Sequence, residues 1–173
     1  IELASTGIAR PNAKTSTRKK DKDGKWGKNV DEDGSPINQD GVDKNFNNYY
    51  RVRYVYSNDN FLINESGTHR EFCTKMAIAN KLYRKQDIIN MSEMAVNPGF
   101  GEGGSDYYSI WKFKGGPQCF HFWSRRIFKT SLRNAKQPIS DSEVIGYTKA
   151  KSEGFTAKKN DNLVATPPRK MKN

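Results

Sequence analysis

Apolar and polar residues alternate over Tyr50-Arg51-Val52-Arg53-Tyr54-Val55-Tyr56, with Tyr50, Val52, Tyr54 and Tyr56 in phase and Arg51 and Arg53 between them. That period of two predicts a half-buried strand. Ser57-Asn58-Asp59-Asn60 then reads as a turn. The period changes to that of a helix at Thr68-His69-Arg70-Glu71, which fits a capping box, with Phe72, Met76, Ala79 and Tyr83 following on one face. A shorter helix is predicted over Lys85 to Asn90, with Ile88, Ile89 and Met91 inward. Alternation returns twice. Tyr107 to Lys114 reads as one strand, Gly115-Gly116-Pro117 as its turn, and Gln118 to Lys129 as the return strand of a hairpin. In that strand Cys119, His121 and Trp123 share one face and Phe120 and Phe122 the other, so both faces should be at least partly covered. Ser142 to Gly154 reads as a weak helix.

These elements predict an α+β fold, a small antiparallel sheet with one main helix, rich in loops and flanked by extended arms. Residues 46–130 hold 17 of the 20 aromatics and are the expected folded core. Residues 1–45 are poor in apolar side chains and rich in Gly, Pro, Asn and Asp, too little to offset the entropy of ordering. They are expected to form an extended arm, disordered alone or laid across a partner. Residues 131–173 read as a basic C-terminal extension, with nine positive and four negative side chains.

Charge sharpens this division. Lys and Arg outnumber Asp and Glu by 30 to 19, a net of +11, which points to a polyanionic neighbour or to solubilising tails. Eight positives fall between Arg10 and Lys28, including Arg10, Lys14, Arg18, Lys19 and Lys20; Arg169, Lys170 and Lys172 close the other end. These are the candidate partner-binding residues. No run of about 18 apolar residues is present, so no transmembrane helix is expected. The first residues lack the basic-then-apolar order of a signal peptide, and none is expected.

Candidate chemistry centres on Cys73, Cys119, His121 and His69. His69 and Cys73 are four apart on the predicted helix, and Cys119 and His121 two apart on the predicted strand, so each pair shares a face. Two Cys and two His suit a tetrahedral structural zinc. The same residues also fit a Cys73–Cys119 disulfide, or buried free thiols beside a surface and a core histidine. Catalysis is not expected: no G-x-S-x-G or paired carboxylates occur, and no third group is evident to orient a Cys–His pair. The glycine-rich Asn97 to Asp106 lacks the ending of a P-loop and reads as a structural loop. The basic–aromatic strands could stack bases or simply form the core.

Several motifs occur in a particular order: Arg70-Glu71-Phe72-Cys73; Ala79-Asn80-Lys81-Leu82-Tyr83-Arg84-Lys85-Gln86-Asp87-Ile88; Asn97-Pro98-Gly99-Phe100-Gly101; Ser105-Asp106-Tyr107-Tyr108-Ser109-Ile110-Trp111; and Lys114-Gly115-Gly116-Pro117-Gln118-Cys119-Phe120-His121-Phe122-Trp123. This order, over roughly residues 50–125, resembles virion head proteins of tailed phages, notably of the crAss-like group. More distantly it resembles the C-terminal part of Mu gpF-type minor head proteins. The resemblance implies an auxiliary or minor capsid component, located in the phage head and in host cytoplasm during assembly. Its implied partners are the major capsid protein or other head proteins, with possible non-specific contact to packaged DNA and none to membrane. Two other roles stay open: a basic nucleic-acid-binding or packaged cargo protein, and an accessory domain of a maturation protease. The absence of a leading Met suits proteolytic maturation. Phe120 and Phe122 flank His121 where the related motif often carries basic or polar residues, which argues against a nucleic-acid role at that strand.

Overall fold

The computed structural model describes residues 36–57, 70–119, 121–157, 163–164 and 171. The fold is α+β, built on a five-stranded antiparallel sheet. Its spine is one long pair, β2 (Asn48–Ser57) and β3 (Phe122–Ser131), in register from Asn48 opposite Ser131 to Ser57 opposite Phe122. β-branched and aromatic side chains fit this pleated surface, and cross-strand pairs supply its stability. Val52 lies opposite Ile127 and Tyr56 opposite Trp123. The short β1 (Gly41–Val42) pairs with β2, while β4 (Glu143–Ile145) and β5 (Leu163–Val164) pair with the other edge of β3.

The partner of β3 is therefore not its neighbour in sequence. The expected hairpin over Tyr107–Lys129 does not form. Residues 107–109 are irregular and Ile110–Phe113 is a single helical turn, α3, capped by the Ser109 hydroxyl, which accepts from the Lys112 amide at 3.3 Å. β2 takes the edge of β3 that a hairpin would use, in a ladder ten residues long. Within the expected main helix, α1 spans Glu71–Ala79, with Arg70 at its N-cap and no side-chain cap. Glu71 is the first helical residue and pairs with Lys75, so the capping-box reading fails. Asn80 ends the helix in the left-handed conformation (φ 43°). Ala79 is thereby exposed, and Tyr83 reaches the core by a backbone bridge to Tyr54 instead of a helix face. The second helix, α2, spans Lys85–Met91 and buries Ile88 and Met91 as expected. The expected 142–154 helix is β4 followed by α4 (Tyr147–Ser152).

One face of the sheet packs an aromatic core. Trp123 is fully buried and stacks on Trp111 at 6.5 Å, with Tyr54 edge-on to Trp111 at 4.9 Å and Tyr83 edge-on to Trp123 at 5.9 Å. The indole N–H of Trp123 donates to the Ile110 carbonyl, satisfying its one polar atom. Tyr50, Tyr54, Tyr56, Trp111 and Trp123 are interior, so none of these forms a base-stacking platform.

The opposite face is covered too, which corrects the half-buried reading. Arg51 and Arg53 are 5% and 3% exposed. Such guanidiniums need partners. Arg53 takes both oxygens of Asp40, at 2.6 and 3.1 Å, and Arg51 donates to the Gln137 carbonyl and the Ser142 hydroxyl, each at 2.6 Å. Packing thus extends beyond residues 46–130. Ile37, Gln39 and Asp43 are buried on one side; Ile145, Ala150, Phe155 and Ala157 are buried on the other. Phe155 stacks on Tyr50 at 4.5 Å. The expected arm is therefore partly core from residue 37 on; residues 1–35 lie outside the described residues.

The glycine-rich stretch is a closed loop. The Gly101 amide donates to the Ser105 carbonyl at 2.7 Å, and the Asp106 carboxylate accepts from the Gly99 amide at 2.9 Å. An anion would find that donor already taken, in keeping with the structural reading.

Candidate metal centre

Three parts of the chain bring four side chains to one point beside Trp123. Cys73 comes from the first turn of α1, Tyr56 from the far end of β2, His121 from just before β3, and Cys119 from the loop between α3 and β3. That loop is tightly wound. Lys114 and Gln118 both have positive φ (53° and 57°), and Gly116 lies at 95°. Non-glycine residues adopt such values at a cost, typically where surrounding packing over-determines them. Here the winding returns the chain so that Cys119 and the Gly115 backbone meet α1.

The sulfurs of Cys73 and Cys119 are 3.9 Å apart and both thiols are free. A disulfide would need about 2.05 Å, so that reading does not hold. His121 Nδ1 is 3.4 Å from Cys119 Sγ. The Tyr56 hydroxyl donates to Cys73 Sγ at 3.3 Å and lies 3.5 Å from Cys119 Sγ. The rings of Tyr56 and His121 stack at 5.0 Å. Gly115 has no room for a side chain: a Cβ there would lie 2.3 Å from Cys73 Sγ and 3.2 Å from Cys119 Sγ.

The thiols differ electrostatically. A hydrogen bond from Cys73 pulls the Cys119 thiol well below its ordinary range; burial opposes this, and donors from His121, Tyr56 and the Gly115 amide assist it. Cys73 is pushed up, because it holds the proton that it shares with Cys119 and because it is buried. Lys114 is 1% exposed; burial brings its ammonium down to about 8, against the attraction of Cys119. Burial pushes the Tyr56 phenol well up. Two cysteine sulfurs and an imidazole nitrogen are soft and borderline donors, with the harder phenol oxygen of Tyr56 beside them.

The donor atoms of Cys73, Cys119 and His121 all lie within 4.8 Å of one another, and the group can hold a metal ion. Three of the four residues expected from sequence are therefore together. The fourth, His69, lies outside the described residues, as do Arg10, Lys14, Arg18, Lys19, Lys20, Arg169, Lys170 and Lys172. Sequence reasoning missed Tyr56 and Gly115. Pairing β2 with β3 would have revealed Tyr56, because its partner Trp123 stands two residues from His121.

A nucleophilic thiol needs a substrate to reach it. Cys73 and Cys119 are 2% and 5% exposed. The neighbouring cavity, about 730 Å³, lies along α1 between Phe72, Met76, Val96, Pro98 and Phe100, and neither cysteine lines it. The chain matches no protein-family model, no curated protein and no solved structure.

Proposed function

We propose that this chain is a non-enzymatic structural protein of a tailed-phage head, an auxiliary or minor capsid component that binds and stabilises the shell, with a structural zinc in its core. One observation carries the reading: two of the five motifs behind the phage-head resemblance converge on the metal-capable cluster. Arg70-Glu71-Phe72-Cys73 supplies one thiol, and Lys114 to Trp123 supplies the loop, the second thiol and the imidazole. Arg70 itself donates to the Pro117 carbonyl, tying the two motifs together. Residues of these two motifs staple α1 to the sheet. A staple suits a small domain that must stay folded while basic segments on either side of it engage capsomers.

Mass spectrometry of purified particles tests the role. The chain should be present in heads at a fixed ratio to the major capsid protein; its absence from the particle overturns the reading. Elemental analysis tests the metal, with about one zinc per chain expected. Basic surface residues favour a second reading, contact with packaged DNA: Arg126, Arg133, Lys136 and Lys151 are exposed. In that case DNA affinity should fall steeply between about 50 and 200 mM salt.

A further inference from the structure

Three protein ligands leave a zinc ion open to water, the pattern of catalytic sites; structural sites close with a fourth. The identity of the fourth ligand therefore decides what kind of centre this is. We infer that the Tyr56 phenolate oxygen is that ligand, so that Cys73, Cys119, His121 and Tyr56 form a complete tetrahedral site. This rests on the zinc reading above.

The distances carry the argument. Zinc bonds of about 2.3 Å to sulfur and 2.0–2.1 Å to nitrogen or oxygen, at the tetrahedral angle, place two sulfurs about 3.8 Å apart and a sulfur about 3.5 Å from a nitrogen or oxygen. The sulfurs here are 3.9 Å apart, Cys119 Sγ to His121 Nδ1 is 3.4 Å, and the Tyr56 oxygen is 3.3 and 3.5 Å from the two sulfurs. Four of the six edges of the tetrahedron thus have the required length, and the donor atoms of Cys73 and His121 lie within 4.8 Å of each other.

The surroundings fit as well. Tyr56 is 2% exposed and sits at the end of a long paired strand, between Phe72, Trp123 and His121, so its oxygen is held in place before metal arrives. The Gly115 amide donates to the Cys119 sulfur, the type of outer contact that orients a ligand. Two thiolates and a phenolate on Zn²⁺ leave one excess negative charge. Arg70, which donates to the Pro117 carbonyl, and the buried Lys114 lie at the same loop and helix junction. Binding releases the thiol and phenol protons to solvent, and no bond other than the metal–ligand bonds forms.

The test uses the full chain and Zn²⁺ or Co²⁺ alone. Zinc titration into metal-free protein at neutral pH should raise the ultraviolet difference band of an ionised phenol, and Tyr56→Phe should abolish it and weaken zinc binding about 10–100-fold. The visible spectrum of the cobalt form should ignore added azide in the wild type and shift in Tyr56→Phe, where the fourth position opens. If Tyr56→Phe does not fold, the wild-type readings decide: no phenolate band, or an azide-induced shift, overturns the assignment. Zinc binding that is intact in Tyr56→Phe but lost in His69→Ala moves the fourth ligand to His69 and leaves the zinc reading standing. A wild type that takes up neither metal overturns both.

Discussion

Replacing Gly115 by Ala adds one methyl group at the most crowded point of the molecule. Its carbon would stand 2.3 Å from Cys73 Sγ and 3.2 Å from Cys119 Sγ. Carbon and sulfur in contact need well over 3 Å, so one sulfur must retreat by more than 1 Å or the loop must move. Cys73 is fixed in α1, and Cys119 follows Gln118, which is already left-handed. Neither yields cheaply. Overpacking of this kind costs about 1–3 kcal/mol, and the upper half of that range applies because the collision is with two buried groups. For a chain of this size about 2 kcal/mol corresponds to a melting temperature lower by roughly 4–8 °C. A thermal melt followed by circular dichroism reads this in the metal-free protein. Zinc affinity should fall as well, since the substitution pushes the sulfurs off their 3.9 Å spacing. Gly103→Ala is the control. Unlike Gly115 it sits at positive φ (65°), and it has nothing within 4 Å of the added carbon, so only backbone strain of about 1–2 kcal/mol applies and zinc affinity is unchanged. A Gly115→Ala protein within about 0.5 kcal/mol of wild type, with unchanged zinc affinity, would refute the packing of both thiols against this loop.

Trp111→Ala should cost about 3–5 kcal/mol, because Trp111 is 4% exposed and stacks on Trp123; urea unfolding measures it, and a loss under about 0.5 kcal/mol would mean that the ring is dispensable to the core. Asp40→Ala takes the carboxylate from the buried Arg53 and an acceptor from the Val52 amide, and should cost about 3–5 kcal/mol; a double Asp40→Ala, Arg53→Met variant should recover part of that, and no recovery would assign the loss to the Val52 contact. Glu153 is held below the usual carboxylate range by donors from Lys129 and Tyr50, each at 2.8 Å. Its stabilisation is therefore full above about pH 4.3 and disappears as pH falls through its lower folded value. Glu153→Gln should flatten that acid limb of the urea midpoint, and an unchanged limb would assign it to other carboxylates.

A closed metal centre also bears on the choice between roles. Chemistry at zinc needs an exchangeable position, and a Tyr56 ligand would leave none. The metal would then contribute folding free energy, which a domain with one modest sheet can use. Chelation should lower the melting temperature of such a protein.

Local periodicity alone determined a good deal here. The alternation of Tyr50 to Tyr56 specified β2, the apolar spacing of Phe72 and Met76 specified the buried side of α1, and Ile88 and Met91 specified that of α2, because side-chain period follows backbone geometry. The class of fold followed from these patterns. The meeting of Cys73 with Cys119 and His121 did not, because the expected hairpin strand starts only at Phe122 and the wound loop over Lys114–Gln118 delivers both residues instead. Tertiary structure decided what depends on long-range pairing. Alternation at Tyr107–Lys114 carries the same signal as at Tyr50–Tyr56, yet only one could occupy the edge of β3, and β2 holds it. Arg51 and Arg53 look solvent-facing until Asp40, Gln137 and Ser142 arrive from distant segments to neutralise and cover them. Tyr56 joins the thiols because the β2–β3 register ends beside His121, 65 positions later in the chain. Such register is set by packing across the whole sheet, which no window of adjacent residues contains.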